Sequence, residues 1–152
     1  MSNSILDQLT LSANKIYGKS VLRDLCIAQG ILESNLYATP SLLASLYNNL
    51  FGIKKSGTKG VVILTTWEEV NNKKEVVKGT FGNNNTITDS VLQYQKILDL
   101  PRYDKVRKSS SFVEAAHAVQ EAGYATDSRY PSKLIAIYND PKFPKYGKIK
   151  LL

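Results

Sequence analysis

The sequence predicts an α+β fold, a mainly helical domain interrupted by one small β-hairpin lobe. Three observations carry that expectation. Apolar residues recur at helical spacing before residue 48 and again after residue 86. Between these parts the period changes, and Val61-Val62-Ile63-Leu64-Thr65-Thr66-Trp67 is β-branched and aromatic. A second such run, Glu75-Val76-Val77-Lys78-Gly79-Thr80-Phe81, returns after a short polar stretch, which makes the pair antiparallel. With 152 residues, 43% of them hydrophobic and 22% charged, the chain suffices for one domain with a proper core.

Taken in order, residues 4–17 hold Ile5, Leu6, Leu9, Leu11 and Ile16 and predict a short helix. Residues 20–33 form the central helix, with Ser20 as N-cap and Val21, Leu25, Ala28 and Leu32 as its buried stripe. Ser34, Asn35 and the turn-rich Tyr37-Ala38-Thr39-Pro40 stop it. Pro40 to Tyr47 predicts another short helix, its apolar side made of Leu42, Leu43, Leu46 and Tyr47. Asn48 to Lys54 is a compact turn segment, and Gly57-Thr58-Lys59-Gly60 is a turn. The β lobe covers about 58–82, with Asn71-Asn72-Lys73-Lys74 as the connection between strands. Thr86 and Asp89 match a capping box, and the helix they open carries Ile87, Val91, Tyr94 and Leu98 before Leu100-Pro101 ends it. A further helix runs from about Ser111 to Ala122 and stops at Gly123. Pro131 sits in the first turn of the last helix, which runs through Tyr138. The tail, about 139–152, is irregular and basic, and the chain reads as a single domain over 1–152.

The net charge of +7 points to an anionic partner: nucleic acid, a membrane surface or an acidic polymer such as a bacterial cell wall. Residues 1–76 carry 8 Lys+Arg against 6 Asp+Glu, and residues 77–152 carry 12 against 7, so an anion-facing surface belongs to the second half. No stretch reaches transmembrane length, so membrane insertion is not expected. Cys26 and His117 are single residues of their kinds and cannot form a zinc site of the usual type. Cys26 reads as a small buried hydrophobe, and neither a metal nor an organic cofactor is implied. The first residues, Met1 to Asp7, lack the basic start and apolar run of a signal peptide.

Glu33 follows the apolar stripe of the central helix by one residue. A lone carboxylate at the mouth of a core helix can keep its proton. Burial raises its pKa, and the negative end of the helix dipole pushes the same way. The same position also suits an ordinary surface helix terminus.

Four segments occur in an informative order: Ala28-Gln29-Gly30-Ile31-Leu32-Glu33-Ser34, Asn48-Asn49-Leu50-Phe51-Gly52-Ile53-Lys54, Thr66-Trp67-Glu68-Glu69 and Gly123-Tyr124-Ala125-Thr126-Asp127. Together they resemble the bacterial and phage endo-β-N-acetylglucosaminidases of glycoside hydrolase family 73, over about residues 8–138. The resemblance implies a lysozyme-like fold and hydrolysis of the β-1,4 bond between N-acetylglucosamine and N-acetylmuramic acid in peptidoglycan. It places the family's general acid on Glu33 and its active-site tyrosine on Tyr124. The second carboxylate, from the β lobe, falls on Glu68 in Thr66-Trp67-Glu68, with the adjacent Glu69 as the alternative. Strand alternation puts Glu68 on the opposite face from Trp67 and Glu69, so only one carboxylate can point into the cleft, and Glu68 is favoured. Asn49, Phe51 and Gly52 are expected in the floor of the sugar groove, with Trp67, Glu69 and Asp127 as further substrate contacts. Asp127 also suits a cap stabilising the turn before Pro131, and Phe51 also suits the core.

The chain departs from the family's pattern at Asn35, where a glycine is usual, and at Gly82 and Asn84, where an arginine and a tyrosine are common. Muramidase specificity on the same polymer and a non-enzymatic module binding nucleic acid or another polyanion are the rival readings. The glycan strands of peptidoglycan are the expected partner, and nucleic acid is not. The expected setting is the bacterial cell wall, reached as a phage lysin through a holin or in a virion tail; a fragment of a larger autolysin reads the same.

Overall fold

A computed structural model describes residues 4–147 of the chain and, for residues 66–70, the backbone alone. Its elements run α1 (Ile5–Tyr17), α2 (Val21–Ser34), α3 (Leu42–Tyr47), β1 (Val61–Val70), β2 (Lys73–Gly82), α4 (Ile87–Leu98), a 3₁₀ turn (Pro101–Tyr103), α5 (Asp104–Arg107), α6 (Phe112–Glu121) and α7 (Tyr130–Asn139). The architecture is the mixed α+β arrangement expected, a helical body with one two-stranded antiparallel hairpin inserted.

Short hydroxyl side chains set the helix starts. Ser4, Ser20, Ser41 and Ser111 each accept a hydrogen bond from the backbone N–H three residues on, at 3.1–3.2 Å. Thr86 and Asp89 form the reciprocal capping box, both bonds 3.1 Å. Each such cap stabilises its helix by about 1 kcal/mol.

Helix α2 is the centre of the fold. It packs against α1, α6 and α7. Its turn Leu25-Cys26-Ile27-Ala28 has no accessible surface at all. The narrow stripe expected from the sequence therefore needs correcting. Burial runs right round the helix from Leu25 to Ile31, while Val21 and Leu32 are only half-buried. Gly30 makes this enclosure possible, because an added Cβ would stand 2.5 Å from Leu9 Cδ2 of α1. Arg23, also fully buried, was not foreseen as a core residue. Its Nε donates to Asn14 Oδ1 (2.7 Å) and its Nη1 pairs with Asp24 (2.8 Å), which offsets the cost of enclosing a charge.

Two further expectations are corrected. The connection placed at 71–74 is a two-residue turn: Asn71 and Asn72 both have positive φ (53° and 64°), and Lys73 and Lys74 already pair with Val70 and Glu69. Consecutive left-handed residues match the strand twist, and asparagine tolerates them. The apolar side assigned to α3 is only partly covered: Leu42 and Leu46 are 66% and 63% exposed, while Leu43 and Tyr47 are half-buried. Six residues bury only Ala44, and the helix is held by its Ser41 cap and by a backbone bond from Ser41 N–H to the Ser34 carbonyl.

The hairpin joins the helical body through a tight knot of backbone and amides. Asn49 is fully buried; its Nδ2 donates to the Ile53 and Gly82 carbonyls (2.8 and 3.0 Å), and its Oδ1 accepts from Ile53 N–H (3.1 Å). Asn84, also buried, accepts from Thr58 N–H (3.0 Å) and donates to Gln93 Oε1 (2.9 Å). Gly82 N–H donates to the Ile53 carbonyl at 2.9 Å, and an added Cβ there would stand 2.3 Å from the Lys55 carbonyl oxygen. The two departures from the family pattern thus belong together. This chain closes the base of its β lobe with a glycine and a buried asparagine that leave no room for larger side chains. Replacing Gly82 with Arg is expected to destabilise the fold by at least the 1–3 kcal/mol typical of about one overpacked site, read as a lower urea midpoint with an unchanged slope.

Candidate active site

The site forms where α2 ends opposite the turn between α6 and α7. Asn35 takes the left-handed conformation (φ 56°) and ends α2, and Leu36 N–H returns to the Ile31 carbonyl at 3.0 Å. Ser34 Oγ donates to the Leu50 carbonyl (2.6 Å), fixing the last turn to the loop beneath it. Glu33 is thereby presented at the helix end. Across from it, Gly123 (φ 94°) stops α6 and lets Tyr124 turn back, its N–H donating to the Val119 carbonyl at 3.2 Å. The chain then runs through Asp127 into α7. A cavity of about 510 Å³ opens between, lined by Leu32, Glu33, Gly123, Tyr124, Ala125, Thr126, Asp127, Tyr130 and Lys133.

Glu33 is an exposed residue over its whole surface, yet its carboxyl stands among the aromatic side chains of the cavity wall. That crowding strips water from the carboxylate and raises its pKa above the ordinary value. Two weaker influences oppose the shift. Tyr130 donates its hydroxyl proton to Glu33 Oε2 at 2.9 Å, and the Lys133 ammonium lies near. Tyr124 packs edge-on or tilted against Tyr94 and Tyr103 and stacks near Tyr130, with centroids 6.2–6.4 Å apart. Its own phenol is held neutral, first by burial and then by the charge of Glu33.

Asp127 is tied into its turn. It accepts from Arg129 N–H (2.9 Å) and from Lys133 Nζ (2.6 Å), and its backbone carbonyl accepts from Tyr130 N–H (3.0 Å). The Lys133 bond, then the backbone bond from Arg129, lower its pKa. Asp127 is therefore the turn cap and also a wall of the cavity.

Of the residues singled out from the sequence, the structure brings Glu33, Tyr124 and Asp127 to one cavity. Asn49 and Phe51 lie elsewhere. Asn49 is enclosed with its amide engaged in the knot at the base of the hairpin, and Phe51 is a core residue stacked on Tyr94 at 4.5 Å. Neither is among the residues lining this cavity, and Phe51 Cε1 lies 3.5 Å from where a Cβ on Gly30 would stand. Gly52 is exposed at positive φ (67°) and is not among the residues lining this cavity. Trp67, Glu68 and Glu69 have side chains outside the described residues; the backbone register pairs Glu68 with Glu75 and Glu69 with Lys74. Sequence reasoning passed over Gln29, Tyr94, Tyr130 and Lys133. Gln29 carried a usable signal: a polar residue one helical turn before Glu33, inside an otherwise apolar run.

The fold and the cavity define a lysozyme-like helical lobe with a carboxylic acid at the mouth of its central helix. The family model described as mannosyl-glycoprotein endo-beta-N-acetylglucosaminidase matches residues 9–143, and the chain belongs to this family. It is 31% identical over 151 residues to the exo-glucosaminidase LytG of Bacillus subtilis (strain 168), covering 95% of this chain and 53% of that protein. It is 36% identical over 145 residues to the peptidoglycan hydrolase FlgJ of Escherichia coli (strain K12), covering 88% and 44%. The chain thus spans about half the length of the curated relatives it matches. Among solved structures, the C-terminally truncated glycoside hydrolase domain of Salmonella typhimurium FlgJ superimposes with a TM-score of 0.63 at 30% identity, covering 88% of this chain and 93% of that one. A mutant peptidoglycan hydrolase from Sphingomonas sp. A1 gives 0.66 at 28%, covering 90% and 92%.

The electrostatics make a two-sided prediction for any activity that needs Glu33 protonated. Such activity falls as pH rises through the Glu33 pKa. Lys133→Met removes a cation that favours the charged form, so the alkaline limb of the pH–rate profile moves up. Asp127→Asn unpairs Lys133 and leaves its charge acting on Glu33, so the limb moves down. Profiles of kcat/KM for the two variants and the wild type check the opposite signs.

Proposed function

We propose that this chain is a glycoside hydrolase acting on peptidoglycan, cleaving the β-1,4 bond between N-acetylglucosamine and N-acetylmuramic acid. One observation carries the reading: the Glu33 carboxyl stands in a cavity wall where burial favours its protonated form. A glycosidic bond breaks when its oxygen receives a proton and the sugar left behind, bearing positive charge, is stabilised. Glu33 supplies the proton from its neutral carboxyl and ends the step as a carboxylate. The hydrogen bond from Tyr130 and the charge of Lys133, which oppose protonation in the resting site, then stabilise that carboxylate. Glu68, or Glu69 beside it, is proposed to guide the attacking water or to stabilise the cation from the β lobe. The substrate's own acetamido oxygen is the alternative nucleophile, with Tyr124 placed on the cavity wall to orient it. Asp127 is proposed as a wall contact for the glycan, and Gly52 and Trp67 as contacts along the groove beyond the cavity.

The names of the relatives support the polymer. The FlgJ proteins are described as peptidoglycan hydrolases, and LytG as an exo-glucosaminidase. The delivery route expected above, through a holin or in a virion tail, is part of the proposal and is independent of the chemistry.

Glu33→Gln is expected to lower hydrolysis of purified peptidoglycan by about 10²–10⁴-fold with an unchanged melting temperature. Mass analysis of the wild-type digest is expected to show N-acetylglucosamine at the new reducing ends. N-acetylmuramic acid there makes the enzyme a muramidase. Release of single sugars without long intermediates makes it exo-acting, and full activity in the Gln variant removes Glu33 from the mechanism.

A further inference from the structure

Gln29 is fully buried on α2, one turn before Glu33. Its amide joins two tyrosines from different helices. The Tyr94 hydroxyl of α4 donates to Gln29 Oε1. Gln29 Nε2 donates to the Tyr130 hydroxyl oxygen of α7 at 3.0 Å. Tyr130 in turn donates to Glu33 Oε2 at 2.9 Å. The line therefore runs from the enclosed core to the cavity without a water.

The direction of this line is constrained by how many protons each group owns. A phenol has one proton, and an amide nitrogen can only donate. Tyr94 has no accessible surface, and Gln29 Oε1 is the acceptor its proton reaches. Turned over, the amide would present its N–H₂ to Tyr94 and strand the Tyr94 proton in the core, at the cost of an unmade buried hydrogen bond. With Oε1 held toward Tyr94, Nε2 must face Tyr130, and the single Tyr130 proton is left to point at Glu33. Glu33 Oε2 is then an acceptor in either protonation state. When Glu33 is neutral, its acid proton has to sit on Oε1. Without that constraint the Tyr130 hydroxyl can rotate and accept the Glu33 proton, which turns the acid toward the core.

We propose that Gln29, Tyr94 and Tyr130 are positioning residues, a directional hydrogen-bond relay that keeps Tyr130 a donor to Glu33 and so holds the acid proton on Glu33 Oε1, the oxygen the relay leaves to the substrate. The inference rests on the reading of Glu33 as general acid. Tyr94 does not line the cavity; its ring packs against Tyr124 of the wall, and its hydroxyl is linked to Glu33 through Gln29 and Tyr130.

Tyr94→Phe keeps the ring and its stacking on Phe51 while removing one hydroxyl. It is expected to lower kcat on peptidoglycan on the order of tenfold with KM unchanged, less than the roughly hundredfold cost of a displaced catalytic group. The Glu33 carboxyl, followed by ¹³C NMR in the resting protein, is expected to titrate at higher pH than in the wild type. Tyr130→Phe must move that titration the same way and further, because the charged form loses its donor outright. Tyr124, Asp127 and Lys133 also face the cavity and are unchanged in every variant, so the displacement is read against a constant field. Should Tyr94→Phe unfold the chain, Gln29→Met removes the same two bonds at similar length and must give the same signs. An unmoved Glu33 titration in folded Tyr94→Phe or Gln29→Met overturns the relay. A moved titration in a protein whose Glu33→Gln variant stays active keeps the relay and rejects the acid assignment.

Discussion

Everything in this structure depends on burying α2 on all sides and yet bringing its last turn to water. A helix enclosed from Leu25 to Ile31 needs neighbours all round, and α1, α6, α7 and the loop through Phe51 supply them. Enclosure also makes unpaired polar groups costly. Each polar side chain α2 carries inward is held by partners: Arg23 by Asn14 and Asp24, with its Nη2 left unpaired, Gln29 by two tyrosines, Ser34 by the Leu50 carbonyl. Those bonds fix the rotation and the end of the helix. Glu33 lies next to a residue pinned at 2.6 Å and one turn beyond an amide pinned at both ends. Its position is thus a consequence of core packing.

Much of the fold was legible because local rules decide it. Serine or threonine before each apolar run marks a helix start through a bond three residues away, and Ser20, Thr86 and Ser111 all behave so. The change of period at Val61 marks the hairpin. What escaped depends on partners far along the chain. Leu42 and Leu46 read as a core face because they recur at helical spacing, but nothing in a six-residue segment says which side meets the body. Asn49 and Phe51 read as groove residues because they sit in a recognisable motif. Phe51 also suited the core, and what the sequence could not give is their distant partners: Phe51 meets Tyr94 and Asn49 holds Gly82. Glu33, Tyr124 and Asp127 were legible individually, whereas the link to Tyr130 spans 97 residues and has no local signature.

The base of the β lobe shows how one departure from a family pattern entails another. Gly82 admits the Lys55 carbonyl at a distance no side chain allows, and this brings residues 53–57 against the strand end. Asn84 then closes the same knot, reaching Thr58 and Gln93. The hairpin is anchored here and carries its far end, where Glu68 pairs with Glu75, on ten-residue strands.

The cavity raises the Glu33 pKa first by burial, and the positive charge that opposes the shift is limited. Phenols from Tyr124 and Tyr130 line the wall and offer dipoles without net charge, and burial holds both neutral. Lys133 is the cation on the same wall, and left alone it would pull Glu33 toward its ionised form. Asp127 holds its ammonium at 2.6 Å, so that Glu33 faces an ion pair rather than a lone cation. The pairing also explains why an aspartate in the turn before α7 serves fold and chemistry together. The bonds that cap the turn keep Asp127 ionised, and only an ionised Asp127 can screen Lys133. The Glu33 pKa is thus shifted by a cavity wall that strips water from the carboxyl and by a neighbouring cation held in an ion pair.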